Sequence, residues 1–149
     1  MAEDKHTILV VDDDDGVRRV LCQWVKRLGY DVLSAENAEA ALQVMDQSLV
    51  EVAICDVRMP GADGIWLADR IRERFPTVPV ILATGLNEMD PSVTLRPGVV
   101  AYVVKPFSNG EIVGAIKTAL DWREREQARP DAARHLRLIE GFLDQDLSK

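Results

Sequence analysis

The chain has 149 residues, 47% of them hydrophobic and 29% charged, with a formal net charge of −7; this suits one soluble globular domain with a real core and a short appendage. The negative charge argues against non-specific binding to nucleic acid or to an anionic membrane. No apolar run approaches the ~18 residues of a membrane span, and the opening MAEDKHT is no signal peptide, so a cytoplasmic location is expected. Cys22 and Cys55 lie in apolar segments with no metal or redox spacing and read as buried thiols. His6 reads as a terminal surface residue and His135 as one on a helix face, which leaves no basis for a zinc or Ser-His-Asp site.

Along the chain, short apolar runs alternate with segments of helical period. The runs are ILVV (8–11), DVLSA (31–35), VAIC (52–55), VPVILA (78–83) and VVAYVV (99–104). All but the second are apolar almost throughout, as parallel strands covered on both faces must be. Val17, Val20, Leu21, Trp24, Val25 and Leu28 define a first amphipathic helix closed by Gly29, with Asp15, and Asp14 beside it, as cap. Ala38, Ala41, Leu42 and Met45 define a second helix, capped by Asn37. Ile65, Leu67, Ala68 and Ile71 define a third, ended by Phe75-Pro76. In NEMDPSVTLRPGVV (87–100), Pro91, Pro97, Gly98, Val93 and Thr94 oppose a helix, so a short or distorted one is expected. Ile112, Ala115, Ile116 and Ala119 define a further helix, introduced by a Ser108/Glu111 capping box. Beyond Pro130, Leu136, Ile139, Leu143 and Leu147 form one stripe, the pattern of an extra C-terminal amphipathic helix. Five strands alternating with helices predict an α/β fold, a doubly wound five-stranded parallel sheet.

The chemistry should lie at the strand ends. The first strand runs into Asp12-Asp13, the third into Asp56, the fourth into Thr84 and the fifth into Lys105-Pro106. In an open parallel sheet these ends share the carboxyl edge, where such folds bind ligands. Three carboxylates that close repel unless a cation joins them, and hard oxygen ligands suit Mg²⁺ (or Mn²⁺). An EF-hand loop ending at Gly16 fails, because Val11 and Cys22 stand where acids are required. A haloacid-dehalogenase-like phosphatase would use the D-x-D within DDDDG, but Gly16 replaces its usual Thr or Val, and there is no room for its cap.

In combination, ILVVDD, DVRMPGADG (56–64), ILATG (81–85) and YVVKPF (102–107) resemble the receiver domain of bacterial two-component response regulators, a flavodoxin-like fold, over residues 6–126. The resemblance implies a phosphoprotein of phosphorelay signal transduction in which Asp56 accepts the phosphoryl group as an aspartyl phosphate. It implies metal ligation by Asp12, Asp13, Asp56 and the Arg58 main-chain carbonyl. It implies catalytic support from Lys105 and Thr84, a Thr84/Tyr102 switch pair, and a cis Lys105–Pro106 peptide. The donor would be a sensor histidine kinase or phosphotransfer protein, and the target a downstream protein or effector domain. Such a receiver assists its own phosphorylation and dephosphorylation without being a multiple-turnover enzyme. Residues 127–149 are expected to be a linker or accessory helix, in a single-domain receiver or in the front of a larger multidomain regulator. The stripe on the tail favours self-association as a homodimer or docking, and nothing in the chain reads as a DNA-binding module. Trp66 and Trp122 are candidates for partner contact.

Overall fold

The structure, a computed structural model, describes residues 5–85 and 96–128. Its elements are β1 (Thr7–Val11), α1 (Asp15–Arg27), β2 (Asp31–Ala35), α2 (Ala38–Gln47), β3 (Val52–Asp56), α3 (Gly64–Arg74), β4 (Val80–Thr84), β5 (Val99–Val104) and α4 (Asn109–Ala128). All strands are parallel, in the order β2-β1-β3-β4-β5. The order reverses between β1 and β3, which opens the crevice where sheets of this kind take ligands.

Alternation along each strand divides the core in two. Leu9, Val11, Ala53, Cys55, Val80 and Leu82 face α2 and α3, where Leu42, Met45, Leu67 and Ile71 meet them. Ile8, Val10, Ile54, Ile81 and Val103 face α1 and α4, against Leu21, Val25, Ile112 and Ile116. Both faces are thus dry along the central strands, which is why β1, β3 and β4 are apolar between their ends, while the edge strand β2 exposes Asp31 and Ser34. In β5 the alternation breaks once. Val80 pairs with Val99 but Ile81 with Ala101, so Val100 is an extra residue in the ladder. Val100 and Ala101 consequently lie on the same side of the sheet, and Tyr102 returns to the α2/α3 side.

The helix ends follow local chemistry. Asp14, rather than Asp15, is the N-cap of α1 and accepts from the Val17 N–H, while Asp15 sits in the first turn and pairs with Arg18. At the other end Gly29 takes φ 96°, and the Gly29 and Tyr30 N–H groups donate to the Lys26 and Val25 carbonyls, a Schellman closure. Asn37 caps α2 through the Ala40 N–H, and Asp63 caps α3 through the Trp66 N–H. Ser108 and Glu111 exchange backbone donations as a capping box.

Three further positions differ from expectation in whole or in part. β4 begins at Val80, not Val78, because Pro79 brings no N–H to the ladder and Val78 closes a turn onto the Phe75 carbonyl. His6 is half-buried, with its ring nitrogen on Glu51 and its ring against Tyr30. Cys55 is buried, but Cys22 is only half-buried. The expected distorted helix in 87–98 falls largely, and the C-terminal amphipathic helix almost wholly, outside the described residues, as does His135.

Candidate functional site

The acidic loop after β1 is fixed by its own backbone. The Asp12 N–H donates to the Ala35 carbonyl, and its carbonyl accepts from Arg18 Nη1 at 2.6 Å. The Asp12 side chain is 1% exposed. One of its oxygens accepts from the Asp14 N–H at 2.9 Å and the other lies 3.2 Å from Lys105 Nζ. The same ammonium stands 3.1 Å from Asp56 Oδ1 at the end of β3. Asp13 is exposed, yet it offers a carboxylate oxygen to a cluster with Asp12 and Asp56 whose ligand atoms all lie within 4.8 Å of one another. Lys105 reaches in from the end of β5, where its N–H donates to the Thr84 carbonyl at 2.8 Å and its bond to Pro106 is cis.

The electrostatics follow from this crowding. Burial, reinforced by Asp12 and Asp13 and opposed by Lys105, raises the Asp56 carboxyl from its ordinary 3.8 to about 6. The confined carboxylate is still mostly ionised at neutral pH. For Lys105, desolvation alone would favour the neutral amine, but the pull of Asp56 and Asp12 wins and its pKa rises. The donor set fits a hard divalent cation. It consists of carboxylate oxygens only, one of them exposed, and one carboxyl resists ionisation without further positive charge.

Thr84 is fully buried beside Asp56's register partner Ala83, and its hydroxyl donates to the Gly85 carbonyl. Tyr102 is half-buried next to Leu82, and burial pushes its phenol up. Arg58 follows β3 with an exposed side chain. Asp12, Asp13, Asp56 and Lys105 are therefore gathered at one point. Trp66 is 37% exposed on α3 with the Arg70 guanidinium 5.4 Å over its ring, and Trp122 is half-buried.

Two contributors escaped sequence reasoning. Arg18 holds the Asp12 carbonyl, and the available signal was an arginine pair, Arg18-Arg19, one turn into the helix behind four acids. Gly64 opens α3 so close to β3 that a Cβ would lie 2.1 Å from the Asp56 carbonyl oxygen; a glycine with ordinary φ gives no such warning. Beside the site, Gly16, Val17, Val20, Lys105, Pro106 and Phe107 line an open apolar hollow of about 470 Å³.

The sequence matches the response regulator receiver domain family over residues 8–117. The chain belongs to that family. This receiver is 32% identical over 146 residues to "Probable transcriptional regulator ycf27" of Porphyridium aerugineum, covering 97% of the chain and 60% of that protein. It is 33% identical over 124 residues to "DNA-binding transcriptional regulator NtrC" of Escherichia coli K12, covering 82% of the chain and 26% of that protein. The chain thus spans 60% of the length of the first and about a quarter of the second. Among solved structures, a CheY-like receiver domain protein from Methanospirillum hungatei JF-1 superposes with a TM-score of 0.76 at 29% identity, over 83% of this chain and 99% of that one. The signal receiver domain of an HD domain-containing protein from Pseudomonas fluorescens Pf-5 gives 0.75 at 27%, over 81% and 98%. Membership makes this a signalling domain. Among the described residues no helix is long and apolar enough to cross a membrane.

Proposed function

We propose that this receiver accepts a phosphoryl group on Asp56 from a phosphohistidine of a sensor kinase or phosphotransfer protein. The observation that carries the reading is the convergence of Asp12, Asp13, Asp56 and Lys105 at the carboxyl edge of the sheet. A carboxylate oxygen of Asp56 attacks phosphorus, the P–N bond breaks, and the imidazole leaves with the bonding pair. The Lys105 ammonium, now shared between Asp12 and Asp56, turns to the phosphoryl oxygens as the Asp56 charge is consumed. The Thr84 hydroxyl changes its acceptor from the Gly85 carbonyl to the phosphoryl group, and Tyr102 follows into the space it leaves. Asp12, Asp13, Asp56 and the Arg58 carbonyl would hold Mg²⁺ or Mn²⁺, which supplies charge neutralisation for the phosphoryl oxygens. The apolar hollow beside Lys105 and Phe107 gives the donor protein a place to dock. Residues 6–126 form the receiver unit. Hydrolysis of the acyl phosphate resets it, and the output passes by protein contact, in this chain alone or to an effector region of a longer regulator.

The test is incubation with acetyl phosphate and Mg²⁺, read by intact mass. One hydroxylamine-labile phosphoryl adduct is expected, not formed when EDTA replaces Mg²⁺ from the start and absent from Asp56→Asn. Continuous turnover of acetyl phosphate without a stable adduct would point instead to a phosphatase.

A further inference from the structure

The loop between β1 and α1 is held more firmly than four successive acids would hold themselves. Asp12 is tied at every polar atom. Its N–H donates to the Ala35 carbonyl of β2, and its own carbonyl accepts from Arg18 Nη1 at 2.6 Å. One of its carboxylate oxygens takes the Asp14 N–H and the other takes Lys105 Nζ. Asp13 is different. It is exposed, so the direction of its carboxylate depends on the backbone that carries it, yet an oxygen of that carboxylate lies within 4.8 Å of ligand atoms on Asp12 and Asp56.

Arg18 controls that backbone. The peptide joining Asp12 to Asp13 is planar, so fixing the Asp12 carbonyl also fixes the Asp13 N–H and restricts the chain at Asp13. The second terminal nitrogen of Arg18 pairs with Asp15 in the first turn of α1. The Arg18 side chain is 19% exposed although Asp15 is 74% exposed, so the covered partner of this pair is the one that reaches the loop. A planar guanidinium can serve a carbonyl and a carboxylate in fixed directions at once, whereas an ammonium is a single point of charge. Charge alone argues against placing an arginine here, because it repels a cation bound by the neighbouring acids.

We propose that Arg18 is a positioning residue for the metal. By clasping the Asp12 carbonyl and Asp15, it keeps the Asp13 carboxylate in step with Asp12 and Asp56 and makes the cluster selective for Mg²⁺ over Ca²⁺. The smaller ion demands near-ideal octahedral ligands at ~2.0–2.1 Å, while Ca²⁺ accepts irregular ones at ~2.3–2.6 Å, so a loosened loop penalises Mg²⁺ more. This inference rests on the metal ligation by Asp12, Asp13 and Asp56 proposed above.

The test is calorimetric titration of the full chain, natural and Arg18→Met, with Mg²⁺ and separately with Ca²⁺. Methionine is a good helix former and leaves α1 intact. Mg²⁺ affinity is expected to fall roughly 10–100-fold, the range for residues that orient metal ligands, and Ca²⁺ affinity several times less. Arg18→Lys, which keeps the charge and loses the fork, should show the same loss of selectivity. In EDTA, amide exchange followed by NMR should quicken at the Asp14 N–H in Arg18→Met while the amides of β3 and β4 hold their rates. Tighter Mg²⁺ binding by Arg18→Met overturns the proposal, because charge is then the whole effect. Equal losses for both ions, or unchanged affinities, overturn it too and leave the metal ligation standing. Failure of the natural protein to bind Mg²⁺ refutes the ligation itself, and this inference with it.

Discussion

Replacing Asp56 by Asn tests the electrostatic reasoning without any phosphodonor. Asp56 ionises at an ordinary 3.8 when unfolded and at about 6 when folded, so folding opposes its charge. The sign is that of a raised carboxyl. Its contribution favours the folded state fully below about pH 4 and is lost as pH climbs through about 6. At ~1.4 kcal/mol per pH unit the penalty at neutral pH is at most about 3 kcal/mol, and solvent at the open mouth of the site reduces it to about 1–2. Asn keeps the shape and removes the charge. In EDTA, at about pH 7.5, the variant should therefore unfold roughly 3–10 °C higher than the natural protein, given ~3–5 °C per kcal/mol for a domain of this size. The gap should close towards about pH 4. Thermal unfolding followed by circular dichroism across that range reads it directly. A gap that does not vary with pH, or a variant less stable than the parent at neutral pH, refutes the account of a carboxylate ionised against its surroundings.

Mg²⁺ should raise the unfolding temperature of the natural protein, by the equivalent of ~2.7 kcal/mol at a hundredfold excess over its Kd, and Asp13→Asn should abolish most of that rise in the same scan. Lys105→Gln removes the cation that Asp12 and Asp56 share, so calorimetric titration should find tighter Mg²⁺ binding even as the acetyl phosphate adduct falls at least tenfold. Gly64→Ala drives a methyl group into the Asp56 carbonyl; a loss of about 1–3 kcal/mol in urea unfolding is expected, with slower phosphorylation because the nucleophile's own backbone must move. Ser108→Ala breaks the capping box of α4 and should cost about 1 kcal/mol in the same urea experiment while leaving adduct formation unchanged.

Sheet, strand number and the positions of the four helices among the described residues were legible because uninterrupted apolar strands and period-3.6 helices leave few alternatives for a chain of this length. The gathering of Asp12, Asp13, Asp56 and Lys105 was legible for a related reason: in a parallel sheet, whatever follows each strand arrives at one edge. Contacts between surfaces were not. Gly64 betrays its tight seat only when β3 and α3 are placed together, and the clasp of Arg18 on the Asp12 carbonyl involves a backbone atom that no side-chain pattern records. The choice of Asp14 over Asp15 as cap turned on a single residue of helix phase, below the resolution of a pattern argument. The pairing of His6 with Glu51 was not legible because the two are distant in sequence and adjacent only across the β1–β3 ladder.

The extra residue at Val100 has a further consequence. It lets the entry of β5 and its exit keep different phases, so the chain can arrive from 96–98 with one parity and still present Tyr102 and Lys105 in step with Leu82 and Thr84. Length changes upstream can be absorbed at that point, much as a vernier takes up an offset between two scales. A deletion after it has no such slack and would turn the lysine away from the acids it serves.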